Sequence, residues 1–472
     1  MTQIFKIKSF KGGISDYEDA GIQGSFKFGS NLDIHRNIDS LTPGYALSDD
    51  LAVGTMTALT LFIVPSSDGN TYFFNADGKI YKRTSGGTYT LVYTDADGVI
   101  TGACEFPQNN GKSYLFWSTS IRLRAKEIPG NSGWSDVDAS IVNKDAVTYT
   151  YPKTNLTSAT WHTMKQINGV LLIANKSEVA MVGYDGSYTT SALQLIPGNL
   201  SKCLMENKGY AYIGGTKVDL AQNAELFVWD TAQSLNWNTK NTVPSSAINA
   251  LINAEYPLMQ VGTSGQILLA DPTNYTLPIV SFPGGGQVKP DAVEVDSGMA
   301  LFGSYGNGTG KSGVYSYGRK KKNANSVLNL EYALDCDEIG SIRKVGTTLL
   351  IAYKNGSDYG VKKVSTDRAV GTYESLDLVF PTSSRETVLD KIRLITAPLP
   401  SGTSIEAYRR MDKTGDFVKC YLEGGSESFN ITNGKEVWFL VGDTGKIAEI
   451  KLILRSNGVY APEVYSIEAY FS

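Results

Sequence analysis

The segment from Asn168 to Asp185 reads NGVLLIANKSEVAMVGYD. An Asn-Gly turn leads into the apolar run VLLIA, a polar break follows at NKSE, and a second run, VAMV, ends before another glycine. Short apolar or β-branched runs bounded by Gly, Asn and Asp are typical of β-strands. The segment therefore predicts two strands joined by a tight turn.

The same local form recurs along the chain. Further copies begin at Asp68 (DGNTYFFNADGKIYKR), Gly111, Lys208, Tyr256, Ser297 and Gly346, so the spacing is 40 to 57 residues. A four-stranded propeller blade takes about 40 to 50 residues. One such unit cannot bury both of its faces, so several must stack in a ring. We therefore predict an all-β chain with a seven-bladed β-propeller, in which each repeated pair is the inner hairpin of a blade.

Small residues at the strand ends indicate that these pairs lie in a crowded position near the axis of the ring. The first strand of the pair ends in a small residue at several repeats: Ala174, Gly214, Gly262, Gly303 and Ala352. Helical periodicity is weak, and the best helical candidate, Ser245–Ala254, is short.

The sixth repeat contains GSYGNGTGKSGVYSYG, from Gly303 to Gly318, which ends in the Gly-Lys-Ser of a nucleotide-binding loop. That motif needs a glycine five positions before Gly310, where the chain has Tyr305, and a helix directly after the loop. The strand-like GVYSYG follows instead. We interpret the glycines as residues of a hairpin turn that needs positive φ angles.

Composition excludes several classes of function. The formal net charge of −4 gives no global attraction to nucleic acid or to anionic membranes. No run of 18 apolar residues occurs, and the N-terminus lacks the apolar core of a signal peptide. The four cysteines are widely separated, so buried free thiols are expected, and no metal or cofactor is predicted. With two histidines, a nucleophilic triad has little support.

The two ends differ from the repeats. Residues 1–49 are rich in Gly, Asp and Ser with spaced aromatics, and predict an extended arm that packs along the ring or reaches a neighbour. Residues 50–381 hold the propeller. Residues 382–472 show alternating patterns such as IAEIKLILR, and predict a jelly-roll-like β-sandwich.

Both ends of the sequence contain phrases that resemble those of a known protein family. The N-terminal phrases FKGGISD and GIQGSFKFGSNLDIHRNIDSLTPGYAL resemble the opening of virion structural proteins of tailed bacteriophages, and the C-terminal IAEIKLILRSNGVYAPEVYSIEAYF resembles their final strands. The resemblance implies a subunit of the virion tail, made in the bacterial cytoplasm and assembled as a ring or collar with copies of itself and with other tail proteins. It implies no catalytic residue.

Candidate binding residues are few. The dense basic run GRKKKNANS contains Arg319, Lys320, Lys321 and Lys322, which could touch DNA phosphates in a tail channel, although a solvated loop is the simpler interpretation. His35 is predicted to have a packing role. The lysines of the run should be replaceable without loss of folding.

The competing hypothesis is a protein that binds or cleaves host surface glycans on the same fold. The carboxylates of DCDE, Asp335 to Glu338, could act in glycan cleavage, and Trp134, Trp161 and Trp237 could stack on sugars. Surface acids and core tryptophans are the simpler interpretation. We expect a structural protein that is not an enzyme. An intracellular propeller scaffold unrelated to viruses stays open as a third class.

Overall fold

The computed structural model describes residues 3–15, 24–35, 40–129, 133–231, 236–273, 278–319, 325–379 and 386–472. Within these residues the regular structure consists of β-strands, with no α-helix, which confirms the all-β prediction. The short helical candidate contains a strand, Ile248–Asn253. Five strands come first: β1 Gln3–Ile7, β2 Gly13–Ile14, β3 Ser25–Phe26, β4 Phe28–Ser30 and β5 Tyr45–Leu51.

Antiparallel sheets of three or four consecutive strands follow. The first three sheets and a two-stranded ribbon between the second and third consist of β6 Thr60–Pro65, β7 Thr71–Asn75, β8 Lys79–Arg83 and β9 Tyr89–Thr94; β10 Gly102–Pro107, β11 Ser113–Ser118 and β12 Leu123–Ile128; β13 Ile141–Val142 and β14 Thr148–Tyr149 (the ribbon); and β15 Met164–Ile167, β16 Val170–Asn175, β17 Glu178–Val182 and β18 Tyr188–Gln194.

Four further sheets continue the series. They consist of β19 Asn199–Asn207, β20 Tyr210–Lys217, β21 Glu225–Trp229 and β22 Thr239–Thr242; β23 Ile248–Asn253, β24 Pro257–Val261, β25 Gln266–Leu269 and β26 Pro278–Ser281; β27 Gln287–Asp296, β28 Met299–Tyr305, β29 Gly313–Gly318 and β30 Val327–Ala333; and β31 Glu338–Val345, β32 Thr348–Asn355 and β33 Asp358–Arg368, which β5 completes.

The first strands of these sheets contact one another in sequence. β6 contacts β10, β10 contacts β15, and the series continues through β19, β23 and β27 to β31, which contacts β6 again. The sheets therefore form a closed circle around an axis, which is the arrangement of a β-propeller.

The repeated pairs found in the sequence lie elsewhere than expected. They form the second and third strands of their sheets, such as β16 and β17, whereas the strand nearest the axis precedes each pair. Two of the small residues, Gly214 and Gly303, are crowded against the next sheet. A Cβ on Gly214 would lie 2.7 Å from the Ile248 side chain, and one on Gly303 would lie 2.6 Å from Ile339.

The C-terminal strands build two more sheet regions: β34 Gly371–Glu374, β35 Leu378–Val379, β36 Thr387–Thr396, β37 Ser404–Met411, β38 Val418–Lys419, β39 Tyr421–Leu422, β40 Glu436–Gly445, β41 Ile447–Arg455 and β42 Val464–Phe471. One sheet has the order β1-β42-β36-β40-β39. The other continues from β30 through β4 to β34, β41, β37 and β38. Buried side chains of both belong to one hydrophobic cluster with those of the sixth and seventh propeller sheets.

The N-terminal strands β1–β5, called the arm below, pair with other strands of the same chain in the described residues. Ser30 pairs with Leu330 of β30 on one side and with Thr372 of β34 on the other. Phe10 and Phe26 are buried, and their ring centroids lie 5.5 and 5.6 Å from that of Tyr373. The arm is therefore part of the connection between propeller and C-terminal strands.

An ion-pair network reinforces this connection. Lys27 Nζ lies 2.7 Å from Oε1 of Glu449, and Arg410 donates to both oxygens of the same carboxylate at 2.6 and 3.0 Å. Burial alone would raise the pKa of Glu449, but the hydrogen bonds from Arg410 and Lys27 hold it below its usual value. A buried carboxylate with two cationic partners favours one fixed position of the arm.

Ring closure gives a direct test. A Cβ on Gly340 in β31 would lie 2.0 Å from the Thr60 carbonyl oxygen of β6, where the last sheet meets the first. We expect Gly340→Ala to lower the free energy of unfolding by about 3 kcal/mol, because the backbone must move apart. Urea denaturation followed by tryptophan fluorescence measures the change.

Gly86→Ala is the matched control, because its nearest new neighbour would be Thr84 Oγ1 at 3.8 Å. We expect a change within about 0.5 kcal/mol for it. Equal stability of the two variants would contradict the close approach of the first and last sheets.

Candidate functional site

Irregularities recur in the strands nearest the axis. The pairing register shifts between Thr60 and Phe62 in β6, between Ser201 and Cys203 in β19, between Ile248 and Ala250 in β23, between Val288 and Val293 in β27, and between Ile339 and Ser341 in β31. A β-bulge leaves its extra residue out of the ladder and redirects the side chain. In β19 and β23 the residues at the shift are Lys202 and Asn249.

These two residues begin a polar track, defined as Lys202, Asn249, Gln260, Lys289 and Glu338. Lys202 Nζ donates to Asn249 Oδ1 at 2.7 Å, and Asn249 Nδ2 donates to Gln260 Oε1 at 3.0 Å. The same Gln260 oxygen accepts a bond from the Val288 amide at 3.2 Å. Lys289 Nζ, next along β27, lies 2.8 Å from Oε2 of Glu338. The track therefore links four consecutive sheets.

Lys202 has an unusual electrostatic setting within this track. Burial lowers the pKa of its ammonium to about 8, and the positive charge of Lys289 acts in the same direction. Burial also raises the pKa of the adjacent Cys203 thiol to about 12, so that thiol is neutral at neutral pH. Among the described residues, no carboxylate forms an ion pair with Lys202 that would offset its charge.

A cavity of about 360 Å³ adjoins Lys202. We call it the Lys202 cavity. Its walls come from the segment before β15, the β16–β17 turn and strands β19 and β20, and its lining residues are Ser158, Ala159, Thr160, Trp161, Lys176, Leu200, Ser201, Lys202 and Thr216. The cavity combines an ammonium group, hydroxyl groups and an indole ring.

A second charged cluster lies among the inner strands. Asp291 accepts hydrogen bonds from Arg343 Nη2 and Ser341 Oγ, each at 2.6 Å, and Arg343 Nε donates to the Ile63 carbonyl at 3.1 Å. Burial raises the pKa of Asp291, although Arg343 opposes the shift. These bonds join β6, β27 and β31, so the cluster reinforces ring closure.

The predicted nucleic-acid residues are only partly described. Arg319 Nε donates to both oxygens of Glu255 at 2.8 and 2.9 Å, so its positive charge has a partner within the chain. Lys320, Lys321 and Lys322 lie outside the described residues. Contact of this run with DNA stays a prediction.

The glycines of the sixth repeat lie in a hairpin loop, as expected. β28 ends at Tyr305 and β29 begins at Gly313, with φ values of 77° at Gly306 and 71° at Gly310. No helix follows the Gly-Lys-Ser in the described chain, so the loop lacks the helix N-terminus that holds a phosphate.

Two carboxylates of DCDE, those of Asp337 and Glu338, have structural partners. Glu338 pairs with Lys289 at 2.8 Å and with Lys354 at 3.4 Å, and although burial would raise its pKa, these lysines hold it below the usual value. Asp337 accepts the Gly356 amide at 2.7 Å. A general acid needs a raised pKa, so this arrangement does not favour glycan cleavage.

The three tryptophans are partly buried against other rings. Trp134 stacks on Tyr93 with centroids 5.7 Å apart, Trp161 meets Phe62 edge to face at 6.1 Å, and Trp237 meets Phe227 at 5.4 Å. Of the three, only Trp161 lines a described cavity, the Lys202 cavity.

Neither histidine has the setting of a catalytic base. His162 is buried, Nε2 donates to the Thr157 carbonyl at 3.0 Å, and Nδ1 lies 2.8 Å from Thr101 Oγ1. Burial lowers its pKa, so the neutral ring is favoured. His35 is partly buried, with Nε2 3.5 Å from Glu331, and its packing role stays a prediction.

Other classes of site are not found in the described part of the chain. The four cysteines are free thiols, with Cys104 partly exposed. Among the residues described, no cluster of His, Cys, Asp and Glu could hold a metal ion. The described strands and loops also include no helix that could span a bilayer.

Sequence reasoning missed the polar track and the Lys202 cavity. The available signal was a lysine within the otherwise apolar LSKCLM and an asparagine within AINALI. Both interrupt the alternation of their strands, but a bulge and its direction cannot be read from the pattern alone.

Known structures resemble the chain in fold. They include the β-propeller domain of Cps50 (Swd1) from Myceliophteria thermophila, at 9% identity and a TM-score of 0.45, with 66% of this chain and 100% of that chain covered. The RRP9 WD40 repeats have 13% sequence identity and a TM-score of 0.47, with 69% of this chain and 100% of that chain covered. The WD40 propeller domain of Doa1 has 12% sequence identity and a TM-score of 0.47, with 67% of this chain and 96% of that chain covered.

No protein-family model and no curated protein matches the chain. The solved structures are β-propeller domains, and their TM-scores below 0.5 carry no weight for function.

The low pKa of Lys202 predicts a pH effect on stability. Between pH 8 and about 10.4, the unperturbed lysine value, the unfolded chain holds a proton on this amine that the folded chain has released. Stability therefore rises with pH across this window, because the unfolded state binds more protons. The free energy of unfolding of the wild type minus that of Lys202→Met should increase from pH 8 to 10.

Urea denaturation of both proteins at unit steps from pH 7 to 10 measures this difference. The contributions of titratable groups that the two proteins share cancel when the free energies are subtracted. A difference that stays constant with pH would show that Lys202 is not desolvated in the folded state.

Proposed function

We propose that this chain is a structural component of a tailed-phage virion and forms part of the tail as an oligomeric ring or collar. We infer that its seven sheets are seven blades within residues 50–381, that residues 1–49 are an arm, and that residues 382–472 form a jelly-roll-like β-sandwich. Its partners would be copies of itself and other tail proteins, and its role would be mechanical, without catalysis.

The observation that carries the proposal is the meeting of the two ends. The stretches that resemble phage virion proteins lie at opposite ends of the sequence, yet Lys27 Nζ of the first stretch lies 2.7 Å from Glu449 Oε1 of the second. Leu41 also pairs with Val464. The two resembling stretches thus belong to one hydrogen-bonded unit, which supports a common structural role for both.

The state of the charged residues favours a mechanical role. The carboxylates of Glu338, Glu449 and Asp291 each have cationic partners, and His162 is held by two hydrogen bonds. Paired groups of this kind hold strands together, which is the role that a mechanical subunit asks of them.

Three apolar side chains of the C-terminal strands are exposed. Val418 on β38, Tyr421 on β39 and Leu440 on β40 are 52%, 47% and 48% exposed, and Tyr421 lies directly opposite Leu440 in the sheet. β38 and β39 lie at the edges of their sheets, where unpaired backbone groups and apolar side chains favour association. We propose that this surface contacts a neighbouring subunit.

Electron microscopy of particles from the source culture tests the proposal. A gold-tagged antibody against the chain should mark one fixed position on every particle. Particles complemented with Leu440→Glu should lose the label at least tenfold, because a buried charge without a partner opposes assembly. Leu220→Glu, the same change at a propeller loop position that is 69% exposed, is the control and should keep the label.

Unlabelled particles beside abundant soluble protein would overturn the structural role. Release of reducing sugar from host polysaccharide by that soluble protein would then favour the glycan hypothesis.

A further inference from the structure

The Lys202 cavity is large enough for a small ligand. Its volume of about 360 Å³ falls within the roughly 300–1,000 Å³ of small-molecule pockets. Its walls come from two adjacent sheets and the segment that leads into β15, and strands β19 and β20 hold the side of the cavity that includes Lys202 and Thr216. A site with fixed walls needs little reorganisation when a ligand binds.

The charge of the cavity points to an anion. Lys202 has a neutral amide, that of Asn249, as its hydrogen-bond acceptor, whereas the neighbouring Lys289 is paired with Glu338. Lys176 lines the same cavity and is exposed. A desolvated ammonium is stabilised by a counter-charge, and in the described residues no carboxylate supplies one to Lys202.

The remaining walls indicate what carries the negative charge. Ser158, Thr160 and Thr216 bring hydroxyl groups, which exchange hydrogen bonds with hydroxyls of a ligand. Trp161 adds an indole ring, which packs against the apolar face of a sugar ring. A carboxylate on a hydroxylated ring would use both kinds of group, because the Lys202 ammonium pairs with its charge and the hydroxyl groups of the wall bond to its ring hydroxyls.

We propose that the Lys202 cavity binds a small hydroxylated carboxylate of the uronic-acid class, with its carboxylate against the Lys202 ammonium. The inference concerns a site inside the propeller and does not depend on the virion role.

The test measures acetylation of individual lysines by acetic anhydride at pH 8, followed by mass spectrometry of the intact wild-type chain after digestion. Saturating D-glucuronate should slow acetylation of Lys202 at least fivefold. D-glucose, which lacks the carboxylate, should leave the rate unchanged. Lys208, an exposed lysine in the turn after β19, should react equally under all conditions and serves as an internal control.

Isothermal titration adds a second readout. Lys202→Met should weaken glucuronate binding at least tenfold, and Lys208→Met should bind as the wild type does. Unchanged acetylation of Lys202 with glucuronate would overturn the proposal, as would equal protection by glucose or equal binding by Lys202→Met. Should Lys202→Met fail to fold, the acetylation of the wild type decides the question.

Discussion

Backbone pairing by the N-terminal arm is the constraint on which the rest of this structure depends. The seventh propeller sheet takes three strands from residues 338–368 and its outer strand, β5, from residues 45–51. β4 lies between β30 and β34 and so joins the sixth sheet to the C-terminal strands. Each hydrogen bond contributes only about 1 kcal/mol net, but these bonds cover strand edges that would otherwise be open. β4 and β5 therefore pair with strands that lie hundreds of residues away in the sequence.

The closed circle explains the character of the inner strands. Sheets that meet around an axis approach closely, and Gly102 and Gly340 allow this, since a Cβ on either would fall within 2.0 Å of a backbone oxygen of the neighbouring sheet. The register shifts in β19 and β23 release Lys202 and Asn249 from the ladder, and the two side chains then bond to each other across adjacent sheets. The close approach of the sheets around the axis thus accounts both for the tightly packed backbones and for the polar side chains found there.

Much of the fold follows from the sequence, because turn residues between short apolar runs fix where strands begin and end. The repeat at Asn168–Asp185 became β16 and β17. Which strand lies nearest the axis could not be predicted, since β15 is only MKQI, with little apolar pattern. The polar track and the Lys202 cavity could not be predicted from the sequence either, because they depend on contacts between sheets. Lys202 meets Asn249 at a separation of 47 residues, which no local pattern specifies.

Hydrogen–deuterium exchange of the folded chain tests the central role of the arm most directly. We expect amides of β4 and β5 to exchange as slowly as those of β30 and β33, because all four strands open only with the whole unit. Fast exchange of β4 and β5, with β30 and β33 still protected, would contradict it and would show that the ring holds together without the arm.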